Sequence, residues 1–267
     1  MEENTNNNNG SLVNLNERQK NIASLVDQSG TVRVSDLSRE FKVSEETIRR
    51  DFERLEKRKL IKKIHGGAVR VEKGIEVPFP KRQSKHILEK EMIANTAASY
   101  VEDGDIIAID ASSTSVLMTK YIKGKSLTVI TNSIGVTLEL AHEQDIRLIL
   151  IGGYLSESSM SLVGNFAERV VQDYHVDKFF FSCLGVDLTR GVSEIHEDQA
   201  LVKKQILSIS DQLFLLVDHS KFGEKSLFRL CDLSIIDYLI TDNKVSINTI
   251  NELNKKGTRT IVGEKSN

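Results

Sequence analysis

Two sets of residues in this sequence have the types and spacing to hold a partner. The first is Ser44-Glu-Glu-Thr-Ile-Arg-Arg50, a hydroxyl residue able to cap a helix followed by long polar side chains. Ile48, Phe52 and Leu55 recur at i, i+4 and i+7, the stripe of a helix with one buried face. Glu46, Arg50, Arg54 and Lys57 then point roughly the opposite way, flanked by Thr47 and Arg49. The planar fork of arginine matches the two major-groove acceptors of guanine. The first turn of a helix laid in that groove reaches base edges, so Ser44, Glu46, Thr47 and Arg50 are candidates for direct readout, with Arg54 on the same face. Arg49, Lys62, Lys63 and Arg70 suit phosphate contacts, which carry no sequence information. His65, at the tip of a turn, is placed to approach the backbone. Each has a plainer use as well. Ser44 caps the helix in either case, Glu46 and Arg54 suit surface i,i+4 pairs, and His65 serves equally as a turn residue. Asp51, beside two arginines, reads as structural.

The second set favours a small anion. Ile106-Ile-Ala-Ile-Asp110-Ala-Ser112-Ser113-Thr114-Ser115 reads as a strand ending in a hydroxyl-rich turn that opens a helix. The unpaired N–H groups of such a helix start carry partial positive charge and favour phosphate. The next strand ends at Thr131-Asn132-Ser133, again at a helix start, and a third ends in Gly152-Gly153, where a ligand can approach bare backbone. Lys221, in Asp218-His-Ser-Lys, brings a charge after another strand. Taken singly, hydroxyls at a helix start cap it, Gly-Gly makes a turn, and a lysine after a strand is solvated. Four such features at strand ends point to one shared polar pocket, because ligands of parallel sheets bind at the carboxyl edge.

The elements that must carry these residues follow from periodicity and punctuation. Asn16 caps a helix over 17–28, closed by Gly30, and 31–34 is a short strand. A short helix over 35–41, a Lys42-Val43 connection and the helix opened by Ser44 follow. Strands at 60–64 and 68–71 are joined by a His65-Gly-Gly turn. That succession is a helix-turn-helix with a β wing, over 16–73. Residues 1–15 form an Asn-rich, disordered tail, and 74–83, which hold both prolines, form the linker. In 84–267 helices and strands alternate: helices at 84–102, 113–122, 134–142, 164–174, 196–210 and 247–256. Strands fall at 106–109, 127–131, 146–151, 178–183, 213–217, 238–241 and near 260–262. The strands are continuous apolar runs, as in a sheet covered on both faces, so the fold class is α/β with a largely parallel sheet.

Charge separates the two parts. Residues 17–73 hold 15 Lys/Arg against 10 Asp/Glu, whereas 74–267 hold 21 against 26. A basic end on an acidic body fits a nucleic-acid reader joined to something else, and a solvated charged helix accounts for it too. Cys183 and Cys231 stand apart, with neither disulfide-scaffold nor zinc-ligand spacing. No apolar run approaches the ~20 residues of a spanning helix. With no signal-peptide pattern at the N-terminus, a cytoplasmic protein without membrane attachment is expected.

The motifs also resemble a known family. Residues 43–56, Val-Ser-Glu-Glu-Thr-Ile-Arg-Arg-Asp-Phe-Glu-Arg-Leu-Glu, followed by His65-Gly-Gly-Ala68, resemble the DNA-binding signature of DeoR-family bacterial transcription regulators. Phe52 stands where the family usually has Leu. The resemblance runs through the C-terminal part, which is similar to the family's effector domain. It implies a fold similar to ribose-5-phosphate isomerase, a phosphorylated sugar or related metabolite as ligand, and a homo-oligomer, dimer or tetramer. Asp110-Ala-Ser-Ser-Thr114 resembles the family's Asp-x-Gly-Thr-Thr loop, with Ser112 and Ser113 in place of Gly-Thr. Thr131-Asn132-Ser133, Gly152-Gly153 and Asp218-x-Ser-Lys221 match unchanged, and Gly185 and Glu194 fall in regions that line the family's pocket.

The expected function is that of a transcriptional regulator, a repressor of a carbohydrate-metabolism operon. It would bind a double-stranded DNA operator under control of a phosphorylated sugar, with no metal, cofactor or catalytic residue. Two rivals remain: a sugar-phosphate isomerase with a DNA-binding appendage, and an unliganded architectural DNA binder. Against the first, the isomerase Asp-Gly-Ala-Asp-Glu and Lys-Gly-Gly-Gly stretches have no good counterpart, Cys183-Leu-Gly-Val-Asp187 being a partial echo.

Overall fold

The structure, a computed structural model, describes residues 15–29, 31–58, 60–70 and 78–264. Of the tail expected over residues 1–15, residues 1–14 lie outside the described residues, as do the closing Gly30 and linker residues 74–77, whereas Leu15 is buried in the first unit's core and is no part of a tail. Two compact units divide the chain, Met1–Lys73 and Gly74–Asn267.

In the first unit, α1 (Glu17–Ser29), β1 (Thr31–Arg33), α2 (Val34–Glu40), α3 (Glu45–Lys57), β2 (Ile61–Ile64) and β3 (Gly67–Arg70) follow in order. Asn16 caps α1 reciprocally with Gln19, Oδ1 accepting from Gln19 N at 2.9 Å and Gln19 Oε1 from Asn16 N at 3.3 Å. The short helix begins at Val34, one residue before Ser35, and its N-cap position is Arg33, which makes no side-chain cap bond. Val34 N donates to the wing carbonyl of Gly66 at 2.9 Å, so tertiary structure supplies an acceptor at the helix start. Ser44 caps α3, accepting from Thr47 N, and Glu45 and Glu46 in the first turn with Arg54 and Lys57 in the last suit the helix dipole. Ile48, Phe52 and Leu55 pack with Ile22, Val26, Leu37 and Ile61 into one core. β2 and β3 form an antiparallel wing from Ile61↔Arg70 to Ile64↔Gly67, and β1 adds to it in the order β1-β3-β2.

The second unit opens with α4 (Phe79–Ser84), α5 (Ile87–Ala98), β4 (Ile106–Ile109), α6 (Ser113–Ile122), β5 (Leu127–Thr131), α7 (Ile134–Leu140) and β6 (Ile146–Leu150). There follow β7 (Tyr154–Ser156), β8 (Ser161–Val163), α8 (Asn165–Val171), β9 (Val176–Phe181), β10 (Gly185–Asp187), β11 (Gly191–Glu194) and α9 (Glu197–Ser208). β12 (Ser210–Leu216), β13 (Phe228–Cys231), β14 (Tyr238–Thr241), α10 (Ile247–Lys255) and β15 (Arg259–Val262) complete it. Seven strands form one parallel sheet in the order β15-β14-β12-β9-β4-β5-β6. Both faces are buried, which explains the unbroken apolar runs. Phe179 and Phe181 join one core with Ala167, Val171, Ala200 and Ile206, and Phe180 points into the other with Ile93, Ala97, Met118 and Phe214.

Four expectations are corrected. The helix over 84–102 is the shorter α5, Ile87–Ala98, because His86 adopts a left-handed conformation (φ 55°, ψ 41°) and separates it from α4. The linker stops short of residue 83, since Phe79 is buried in the second unit's core and starts α4. The hairpin β7–β8 intervenes before the helix placed at 164–174, which is the shorter α8. A second, antiparallel sheet in the order β10-β11-β13 lies in stretches expected to be loops. Among the described residues, no helix is long and apolar enough to cross a membrane.

Candidate functional site

In the first unit the residues singled out for DNA gather on α3 and the wing. Glu46, Arg49, Arg50 and Arg54 are exposed, Thr47 is half-buried, and Ser44 Oγ lies 2.9 Å from Thr47 Oγ1. Arg49 pairs with Glu45 at 3.1 Å and Arg50 with Glu46 at 3.5 Å, exposed contacts of small net strength. Lys62 and His65 are exposed on the wing, and the side chain of Arg70 lies outside the described residues. Lys63 is tied back to α3, its N–H donating to Glu56 Oε1 at 2.8 Å and its Nζ 3.5 Å from Glu53. Asp51 is buried and accepts from Arg18 Nε at 2.6 Å and Gln19 Nε2 at 2.7 Å. Its carboxylate locks α3 to α1, which sets the angle at which the exposed face is presented.

In the second unit a cleft of about 780 Å³, its open mouth included, lies beyond the carboxyl ends of β4, β9 and β12. The loop after β4 contributes Ser112, Ser113 and Thr114, and the segment after β9 contributes Ser182, Cys183 and Leu184. Asp218, Ser220 and Lys221 follow β12, Glu194 ends β11, Gln199 and Lys203 come from α9, and Arg82, Lys85, His86 and Lys90 from α4, α5 and their junction. From β4 the sheet grows outward through β5 and β6, and from β9 the other way through β12, β14 and β15. The cleft therefore sits at the point where strand order reverses, the usual crevice of parallel sheets.

Strand order also explains which expected residues are absent from the cleft wall. Thr131, Asn132, Ser133, Gly152 and Gly153 end β5 and β6, away from the reversal point, and their polar atoms serve the scaffold. Thr131 Oγ1 donates to Ile109 O at 2.6 Å, Asn132 Nδ2 to Leu162 O at 2.9 Å, and Ser133 caps α7. Gly152 faces Phe166, and a Cβ on Gly153 would lie 2.5 Å from Val163 O, so its bareness admits the β8 backbone and not a ligand. Gly185 is likewise a close approach, where a Cβ would lie 2.4 Å from Glu224 O. Ser115 is buried and takes part in the cap of α6 with Ser112. Asp110 lies beneath the cleft and organises its floor, accepting from Ser112 N at 3.1 Å and Ser182 N at 3.2 Å.

Two lysines absent from the expected set dominate the electrostatics. Lys203 is buried, with Nζ 2.8 Å from Asp110 Oδ2, bonded to Glu194 Oε1 and donating to Ser182 O at 2.8 Å. Burial works against its charge, but the two carboxylates prevail and hold its pKa above the ordinary lysine value. Lys90 donates to Ser113 Oγ at 2.9 Å and to Arg82 O. Burial, reinforced by Lys221, Arg82 and Lys85 and opposed by Asp218, pushes its pKa down to about 8. Such a group is charged below that pH and neutral above it. We expect affinity for a dianion such as sulfate to fall as pH rises through about 8, and to become flat there in Lys90→Met; calorimetric titration measures both.

Both cysteines are buried and free, Cys183 against the cleft. At the start of β9 and β12, away from the cleft, His175 Nε2 lies 3.5 Å from Asp177 and 3.4 Å from Asp211.

Comparison with known proteins gives the same division. Residues 18–74 match the family model of a DeoR-like helix-turn-helix domain, and residues 85–243 that of a DeoR C-terminal sensor domain. An uncharacterized HTH-type transcriptional regulator, YulB of Bacillus subtilis, is 42% identical over 241 residues, 90% of this chain and 93% of the relative. The lactose phosphotransferase system repressor of Staphylococcus aureus is 32% identical, covering 86% and 93%. Among solved structures, ribose 5-phosphate isomerase A of Methanocaldococcus jannaschii superposes over 51% of this chain and 54% of its own with a TM-score of 0.38 and 20% identity.

Proposed function

The chain belongs to the DeoR family of transcriptional regulators, and from that premise we propose that it represses a carbohydrate-metabolism operon under the control of a phosphorylated sugar. It is a DNA-binding regulator with a helix-turn-helix reader and a sensor domain. The observation that carries the sugar-phosphate reading is the cleft itself, where Lys90, Lys221 and the Ser112–Thr114 loop converge on one space with Glu194 and Gln199. Cations and hydroxyls there suit a phosphate, and a carboxylate and an amide suit sugar hydroxyls. A relative of similar length named for the lactose phosphotransferase system points the same way.

In this reading Thr47 and Arg50 meet base edges, Arg49 and Lys62 meet phosphates, and the protein is at least a dimer. Paired readers then fit half-sites about one turn (~34–36 Å) or a multiple apart. Ligand acts by its differential affinity for two arrangements of the subunits. No catalytic step is part of it. An isomerase needs a free carboxylate base, and Asp110 and Glu194 are both engaged by Lys203.

The test is selection from fragmented genomic DNA of the source at ~0.15 M salt, followed by thermal unfolding with a panel of sugar phosphates. Sharp peaks sharing a repeated half-site, and a few degrees of stabilisation by one or a few phosphorylated sugars, are expected. Retention without a motif would sink the specific reader in favour of an architectural binder. Turnover of a pentose phosphate would restore the isomerase.

A further inference from the structure

His86 belongs to no motif of the sequence, yet it occupies an unusual place. It stands at the break between α4 and α5 in the left-handed region, beside Lys85 and half-buried on the cleft wall that also carries Lys90 and Lys221. Non-glycine residues held there persist where the surroundings impose the conformation, and such positions gather at ligand sites. Here α5 starts from it, Lys90 N donating to His86 O at 3.0 Å. The ring of His219 meets the ring of His86 edge-on, with centroids 5.0 Å apart and planes at 74°. His219 is itself fixed: its Nδ1 lies 3.0 and 3.2 Å from the two oxygens of Asp242, and its backbone N–H donates to the same carboxylate at 2.7 Å. Asp242 is fully buried, which leaves the His219 ring little freedom and makes it a rigid wall for its neighbour.

We propose that His86 is an anion ligand of the cleft that engages only when protonated, its ring positioned by the Asp242–His219 pair, so that the site takes up a proton as it fills. The proposal rests on the reading of the cleft as an anion site and adds to it a ligand and a linkage. The charged groups around the pair come from four segments: Arg82 and Lys85; Glu89 and Lys90; Asp218 and Lys221; Asp242 and Lys244. Glu89 is engaged by Lys244, and Asp218 by Ser220 N at 2.9 Å. Without an anion, burial, Lys85 and His219 outweigh Asp218 and Glu89 and lower the pKa of His86 below the ordinary histidine value. A dianion among these lysines reverses that balance, because it attracts the charged imidazole and offsets the repulsion of its neighbours. By linkage, ligand that favours protonated His86 binds more tightly as pH falls.

Sulfate is the probe, because it keeps both charges throughout the range in which His86 and Lys90 titrate, so any pH dependence belongs to the protein. In the full chain its association constant should rise on acidification below neutrality, by up to about tenfold per pH unit for one linked proton. Calorimetry in buffers of different ionisation enthalpy should show proton uptake. His86→Asn, which keeps a residue tolerant of the left-handed region, should lose this acid limb and keep the alkaline one set by Lys90. In His219→Asn, where the amide can still donate to Asp242, loss of the facing imidazole should move the acid limb to higher pH. The NMR titration of the His86 ring in the unaltered protein, which needs no variant, should shift upward when sulfate is added. An unchanged acid limb in His86→Asn, or a His86 titration indifferent to sulfate, overturns the proposal. Failure of sulfate to bind at any pH overturns the anion site as well.

Discussion

Replacing Lys203 with alanine should destabilise the sensor unit by about 3–5 kcal/mol, the cost of leaving buried charges unpartnered. The lysine stands between Asp110 and Glu194, both buried, and also satisfies the carbonyl of Ser182. Its loss leaves two buried carboxylates without a counter-charge, a state that favours the neutral, protonated form of such a group. The sign of the pH dependence follows. A carboxylate with a raised folded pKa binds more protons folded than unfolded, so the penalty is full near neutrality and shrinks on acidification. Urea unfolding of Lys203→Ala at neutral pH and near pH 5 checks both statements. Equal loss at the two values would show that the damage is a packing defect and not a stranded charge. Combining Lys203→Met with Asp110→Asn and Glu194→Gln should recover much of the loss, because neutral groups need no counter-charge.

Arg50→Ala should weaken binding to the selected operator by about 1–3 kcal/mol, roughly 5- to 150-fold, and relax preference at one base pair of each half-site. The fold should not change. Arg50 is 74% exposed, and its pairing with Glu46 at 3.5 Å is a surface one worth at most ~1 kcal/mol. Lys62→Ala is the control: if Lys62 meets phosphate, as proposed, its removal should weaken all sequences alike and lower the salt dependence of binding by about one ion. A uniform loss in Arg50→Ala would move that residue to the phosphate class and leave base readout to Thr47 and Glu46.

The reader unit was legible because its signals are local. A cap at Ser44, the stripe Ile48, Phe52, Leu55 and a Gly-containing turn each depend on residues close in the chain, and the structure uses the cap and the stripe as written and the turn with Gly67 already in β3. The parallel strands were legible for a similar reason, as apolar runs between helices. What the sequence withheld was strand order. Residues ending β5 and β6 looked equivalent to those ending β4, and only the insertion of β9 beside β4 moves the cleft away from them. The short strands β10, β11 and β13 were missed because strands of three or four residues, two of them opened by a Gly, read as loop. The lysines were missed because a charge within a helix ordinarily marks a solvated face. There was a signal at α9: Gln199, Lys203 and Ile206 share the buried stripe with Ala200 and Val202. Polar members of such a stripe must meet a buried partner. At α5, Lys90 lies among buried Glu89, Met92 and Ile93, the same warning.

The central pairing of the sheet has one more consequence, for the order in which the molecule is made. β4 meets β9 through Ile107↔Lys178, a pairing that closes a loop of about seventy residues, and β9 in turn needs β12. The reader is a compact unit of its own, built from the first 73 residues. During synthesis, with domains folding as units from the N-terminus, the reader is complete while the sheet still lacks its middle. A chain that ends before β12 would therefore leave the ribosome with its reader folded and with a sensor sheet that has no partner for β9.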